Sequence, residues 1–294
     1  VKNGFIHLKN CIYGFENFYG PYRWNRFGYC MVPFNNGAME HATNISYPRV
    51  AAGNVAYEAD LMAHELSHHW WGDNVTCTTK EDMWINEGMA TFSSYLFLEW
   101  QYGKPTYLSS VRNQHEPLVH HLHHKEGGFR AISGVPHDLT YGDYVYKKGA
   151  DVAHTLRSYM GDAAFFAACK YVMQQREGQN VNTTDLRNLF QISSGQNLVP
   201  FFDNWLLNPG WPHFAIDSVQ YTPVGPTYNA RVFIKQKLLG APSFFTNVPL
   251  EISFFKNDWT KTVQTVTFSG ATMSFTVPVS FLPAYVSLNF DSKI

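Results

Sequence analysis

The stretch His64-Glu65-Leu66-Ser67-His68-His69-Trp70-Trp71-Gly72 sets two histidines four residues apart, with a glutamate directly after the first. On a helix, residues i and i+4 lie one turn apart on one face. Two imidazoles so placed can hold one zinc ion at ~2.0–2.1 Å. Glu65, beside the first histidine, can then reach a water on the metal's open position. Three fixed residues in a pentapeptide recur by chance on many helices, and the bland alternative is two surface histidines and a glutamate that bind nothing. The neighbours argue against it. Ala63, Leu66, Trp70 and Trp71 make the segment apolar over much of its circumference, as expected of a buried helix. Buried histidines and a buried glutamate need partners or a metal.

Working outward, the helix extends back to about Val55 through Tyr57, Leu61 and Met62 at three- and four-residue spacings, and Gly72-Asp73 stop it. A second helix is expected after Thr79, where Thr79-Lys80-Glu81-Asp82 resembles a capping box. It carries Trp84-Ile85-Asn86-Glu87-Gly88, and eighteen residues separate His68 from Glu87. A catalytic zinc site takes three protein ligands and keeps a fourth position for water. Glu87 is the candidate third ligand, brought to His64 and His68 if the two helices run antiparallel across a short loop.

Residues 1–60 read as short strands and turns punctuated by Gly14, Gly20-Pro21, Asn35-Asn36-Gly37 and Gly53-Asn54. Residues 103–145, with Pro105, Pro117 and Pro136, read as irregular, and 147–208 as mostly helical, with Asp162 as a cap and Gly161, Gly178 and Gly195 as breaks. The texture changes near Asn208-Pro209-Gly210-Trp211-Pro212. Alternating segments follow at 231–238, 248–255, 262–268, 273–279 and 285–290, with hairpin turns expected at Asn257-Asp258 and Ser269-Gly270. The expected class is therefore α+β: a first domain over 1–212 and a small all-β sandwich over 213–294.

The combination HELSHHWWG and NEG resembles the aminopeptidase N family of gluzincins, to which leukotriene hydrolase also belongs. Gly37-Ala38-Met39-Glu40 is similar to that family's exopeptidase signature GxMEN, and Tyr146-Lys147-Lys148-Gly149 to its YxKG segment. Phe15, Phe18-Tyr19-Gly20-Pro21-Tyr22 and Trp24 resemble the lead-in to the signature. The likeness covers about residues 10–212, and the β tail fits the family's third domain. It implies a thermolysin-like catalytic domain with a small N-terminal β part, one zinc ion on His64, His68 and Glu87, and Glu65 as base. It further implies Glu40 as the anchor for a substrate's free α-amino group, with Gly37, Ala38 and Met39 lining the substrate site, and Tyr146 as donor to the oxyanion. On this resemblance the substrates are peptides with a free N-terminus, trimmed one residue at a time. Two positions depart from the pattern: His41 stands where Asn is usual, and Asp73 likewise. The resemblance also implies a β domain before this region and a helical domain after it, so flanking domains of the same polypeptide are expected partners.

Composition narrows the classes. Of 294 residues, 45% are hydrophobic and 15% charged, and the net charge is -1. No global field recruits nucleic acid or an anionic membrane, and no run of ~18 apolar residues suggests a transmembrane helix. Val1-Lys2-Asn3-Gly4 lacks an initiator Met and an apolar leader, as in a mature product or an excised piece. The low charge and a tail rich in aromatics, Thr and Asn lean toward a secreted or periplasmic protein. Cys11, Cys30, Cys77 and Cys169 form no CxxC pair; buried thiols are expected, with a Cys11–Cys30 disulfide as the alternative. His115, His120, His121, His123 and His124 read as a solvated loop rather than a second metal site, since no carboxylate or Cys completes a ligand set. Asp138 and Tyr141 read as loop residues or pocket lining. Two other functions stay open at this level: a zinc endopeptidase with an open groove, for which Glu40 is irrelevant, and a non-enzymatic, zinc-stabilised binding module.

Overall fold

A computed structural model describes residues 2–294 as a mixture of helices and sheets. By internal contacts the chain forms two compact units. One holds the chain to Gly128 together with Ile132–Leu198; the other holds Phe129–Ala131 and Val199–Ile294.

The first unit is built mainly of helices: α1 (Leu8–Tyr19), the single turn α2 (His64–Ser67), α3 (Glu87–Tyr102), α4 (Lys104–Lys125), α5 (Gly149–Met160), α6 (Asp162–Gln175) and α7 (Thr183–Ser194). Its strands are two short parallel pairs, β1 (Tyr29–Val32) with β2 (Ile45–Pro48), and β3 (Val75–Cys77) with β4 (Gln179–Val181). The N-terminal β part is thus only the short β1–β2 pair among the described residues. The expectation of strands and turns over 1–60 missed α1. Its buried Cys11, Ile12, Phe15, Phe18 and Tyr19 follow a helical period. Gly14 is there for close packing rather than a turn, because a Cβ would meet the Trp100 ring at 3.0 Å.

The irregular reading of 103–145 is also corrected. The 22-residue α4 accepts Pro105 in its first turn, where no N–H is needed, and continues through Pro117. Tyr107, Val111, Leu118 and Leu122 form its buried stripe, so the histidine-rich segment is the end of a helix and not a loop. Thr79 makes no capping bond; a 3₁₀ segment (Lys80–Ile85) intervenes before α3. Asp82 instead accepts from Ser133 Oγ (2.6 Å) and Thr183 Oγ1 (2.7 Å). Asp162 opens α6 and binds Arg157 at 2.9 and 2.8 Å instead of capping. The capping box lies at Asn182/Asp185, at the start of α7. The cysteines are all free: Cys11 and Cys169 are buried, Cys77 half-buried and Cys30 exposed, so no Cys11–Cys30 disulfide forms.

In the second unit α8 (Val199–Phe202) runs into a π-helical segment, Asp203–Leu207. Two three-stranded antiparallel sheets follow. One has the order β5 (Trp211–Val224), β6 (Thr227–Leu239), β9 (Thr272–Val279); the other β10 (Tyr285–Leu288), β7 (Val248–Phe255), β8 (Lys261–Phe268). The sequence reading missed β5, whose half-exposed faces blur the alternation. The turn at Ser269-Gly270 is not a hairpin: it carries the chain from one sheet to the other. The expected boundary at 212/213 moves to 198/199, because Trp205 lies edge-on to Phe245 at 4.9 Å and so ties the preceding helical segment to the β unit.

What positions the site is the crossing of α3 and α5 at two glycines. A Cβ on Gly88 would meet Val145 O at 2.9 Å and Gly149 Cα at 3.0 Å; one on Gly149 would meet Gly88 Cα at 3.0 Å. These are backbone atoms and cannot swing aside. Gly88→Ala or Gly149→Ala should therefore cost about 1–3 kcal/mol, the usual range for overpacking, measured by urea unfolding. Wild-type stability for both variants would show that the helices do not meet this closely.

Candidate metal and active site

His64 and His68 project from a segment that is not one regular helix. A 3₁₀ turn (Val55–Tyr57) leads into a π-helical stretch (Glu58–Ala63), then α2, and the chain turns off at Trp71-Gly72. Tyr146 lies in a second π-helical stretch, Tyr144–Lys148, just before α5. Such wide turns are rare and concentrate at functional sites. Glu87 is the first residue of α3.

The side chains converge. Nε2 of His64 lies 3.2 Å from Glu87 Oε2, Nε2 of His68 lies 3.2 Å from the same oxygen, and the two nitrogens are 3.1 Å apart. His68 Nδ1 is 2.9 Å from the Trp71 carbonyl, so this nitrogen carries the proton and Nε2 of the neutral ring presents a lone pair. Gly72 is needed beside it, since a Cβ there would press on His68 Nδ1 at 3.0 Å. Two nitrogens and a carboxylate oxygen are thus aimed at one point, with separations close to the ~3.3 Å edge of a tetrahedron whose bonds are ~2.0–2.1 Å. The residues present fit a zinc ion.

The electrostatics call for positive charge in the same place. Burial pulls the His68 imidazole down, but Glu87, by charge and hydrogen bond, together with Glu40 and Glu65, pushes it up to about 10. Burial pushes Glu87 up, yet His68 and His64 outweigh this and hold its carboxyl well below the usual range. Glu65 is raised by burial against the pull of His64 and His68, with Glu40 and Glu87 adding. Its Oε2 is buried without a hydrogen-bond partner among the described residues. Glu40, Glu65 and His68 bring ligand atoms within 4.8 Å of one another. The Tyr146 ring lies nearly parallel to that of His64, at 6.1 Å. Burial first, then Glu87 and Glu65, raise its phenol far above the ordinary value, so it remains a proton donor.

These groups share a cavity of about 370 Å³, lined by Gly37, Ala38, Glu40, His64, Glu65, His68, Glu87 and Tyr146 among others. Residues 6–205 match the model of the Peptidase family M1 domain. The chain belongs to that family. Among curated M1 relatives, aminopeptidase N of Lactococcus lactis subsp. lactis is 28% identical over 207 residues, covering 64% of this chain and 24% of that protein. Aminopeptidase M1-D of Oryza sativa subsp. japonica is 30% identical over 226 residues, covering 68% and 24%. The chain thus spans about a quarter of the length of these relatives. Among solved structures, an M1 zinc metallopeptidase from Deinococcus radiodurans superposes with a TM-score of 0.60 at 26% identity, over 68% of this chain and 43% of that one. Legionella pneumophila aminopeptidase A in complex with aspartic acid shares the fold over 99% of this chain and 34% of that one, at a TM-score of 0.78 and 18% identity.

Of the residues singled out in the M1 sequence motifs, Met39 is not among those lining the cavity. Its backbone bridges to Ser46 (2.9 and 2.8 Å) and its side chain is exposed. Asp138 and Tyr141 are exposed and outside the lining. Sequence reasoning missed Asp60, Leu61, Thr91, Ser94, Tyr95, Gln114 and Lys147, which complete the wall. Most could have been found by extending each ligand's helical face by a turn or two, from His64 back to Asp60 and from Glu87 on to Thr91, Ser94 and Tyr95. Binding to the folded state alone stabilises a protein by ~2.7 kcal/mol at a hundredfold excess over Kd. Zinc added to the metal-free chain should therefore raise its melting temperature by several degrees. The increment should vanish in His64→Ala and shrink in Glu87→Gln; an increment that survives His64→Ala would place the metal elsewhere.

Proposed function

We propose that this chain is the catalytic part of a zinc-dependent aminopeptidase that releases the first residue of peptides with a free N-terminus. The reading is carried by one observation: the three metal-binding atoms, the Glu65 carboxylate and the Glu40 carboxylate open onto a single cavity. A structural zinc site usually has a fourth protein ligand; here three converge and the remaining direction faces the cavity. In this reading the helical unit is a thermolysin-like peptidase domain and the two sheets of the second unit form a β-sandwich module.

The roles follow from position and charge. His64, His68 and Glu87 would hold the zinc ion, which when bound polarises a carbonyl and lowers the pKa of water. Glu65 takes the proton of the attacking water and returns it to the leaving amine, a carboxylate raised toward neutrality by burial being suited to both tasks. Tyr146, held protonated, donates to the oxyanion of the tetrahedral intermediate. Glu40, half-buried at the cavity wall, accepts charge-assisted hydrogen bonds from the substrate's ammonium group. Family membership and curated relatives that are aminopeptidases support the same reading.

Tyr146→Phe should retain zinc and lose about 10²–10³ in kcat, the usual loss when an oxyanion donor is removed. Both variants are assayed on amino-acid anilides, where Glu65→Gln should retain zinc and show almost no turnover. A Tyr146→Phe enzyme with normal kcat would remove the donor role. Free and N-acetylated forms of one peptide, followed by mass spectrometry, test the anchor: only the free form should lose its first residue. Equal cleavage of the acetylated form, or cuts inside it, would establish an endopeptidase instead.

A further inference from the structure

The cavity has two unlike ends. Glu40 sits with His68 and Glu65, their ligand atoms within 4.8 Å. Asp60 lies four residues before His64, roughly one wide turn back along the π-helical segment and so in the opposite direction along the chain. Along the segment the order is therefore Asp60, His64, then His68 with Glu40. If the ammonium group is held at Glu40 and the scissile carbonyl lies at the metal-binding atoms, the chain beyond the cut runs toward Asp60.

That far end is polar. Asp60 and Leu61 line the cavity together with Ser94, Tyr95 and Gln114, and the Asp60 charge acts on the Tyr95 phenol. Asp60 is exposed to the cavity and has no ion pair among the described residues. The other acid of the same π-helical segment, Glu58, differs: it is buried and bonded to His7 Nδ1 (2.5 Å) and Tyr102 OH (2.7 Å). Lys147, the cation on the wall, is 3.4 Å from Asp143. A carboxylate without a cation, in a recess that excludes part of the solvent, favours a cationic group on the ligand.

We propose that the Asp60 end of the cavity receives the side chain of the substrate's second residue and selects a basic one, lysine or arginine. This rests on the reading of Glu40 as the amine anchor. The test measures binding apart from turnover. In the zinc-loaded Glu65→Gln chain, calorimetry should show Leu-Arg-amide binding about five- to tenfold tighter than Leu-norleucine-amide, the scale of a partly exposed ion pair. Asp60→Asn should bring this ratio to about one, and Asp60→Lys should turn the preference toward Leu-Glu-amide. Equal affinities in the parent, a preference that survives Asp60→Asn, or a preference that instead follows the first residue (Arg-Leu-amide over norleucine-Leu-amide) would overturn the inference. Hydrolysis by the unmutated chain separates this from the broader reading. Peptides bound with an Asp60-dependent preference but never cut would refute the aminopeptidase and leave the subsite standing; peptides cut at rates indifferent to the second residue would do the reverse.

Discussion

Three buried ligand atoms from two helices, Nε2 of His64, Nε2 of His68 and Oε2 of Glu87, lie within 3.1–3.2 Å of one another. Placing two lone pairs and a carboxylate together in a low-dielectric interior is unfavourable unless a cation lies between them. Much of the surrounding structure serves to hold that arrangement. The Trp71 carbonyl fixes the His68 ring, the Gly88–Gly149 contact sets how closely α3 and α5 approach, and α3 carries Glu87 at its first residue. The same few turns of backbone bring Glu65, Glu40 and Tyr146 to the same cavity.

The two π-helical segments explain why the site does not follow from an ideal helix. A wide turn inserts a residue and rotates every side chain before it relative to those after it. In Glu58–Ala63 it shifts Asp60 and Leu61 relative to His64; in Tyr144–Lys148 it presents Tyr146 to the His64 ring while Val145 and Lys148 are buried. Regular helices would bury one continuous stripe. The interruptions let a buried segment also present polar groups to a cavity.

Behind the metal-binding helix, the His69 imidazole is lowered to about 4, chiefly by burial, and lies against the rings of Tyr22 and Trp24. Burial, with the charge of Glu40, raises Asp73 to about 7. At both positions burial disfavours the charged form.

The sequence by itself determined the family and singled out His64, His68 and Glu87 as a candidate metal triad beside Glu40, Glu65 and Tyr146, because these readings depend on residue types at fixed local spacing. It also marked all five strands expected in the tail, 231–238, 248–255, 262–268, 273–279 and 285–290, by alternation, with differences at their ends, and missed only β5 ahead of them. Where spacing rules were overridden by packing, only the tertiary structure could decide. Gly14 looks like a turn until Trp100 is seen against it, and Pro105 and Pro117 look like helix breakers until the buried stripe of α4 is seen to continue past them. The pairing of strands into two sheets, the boundary near 198 and the far wall of the cavity likewise join residues distant in the chain. Local sequence encodes local geometry and chemistry; which distant surfaces meet is set by the burial they achieve together, and no short window contains both partners.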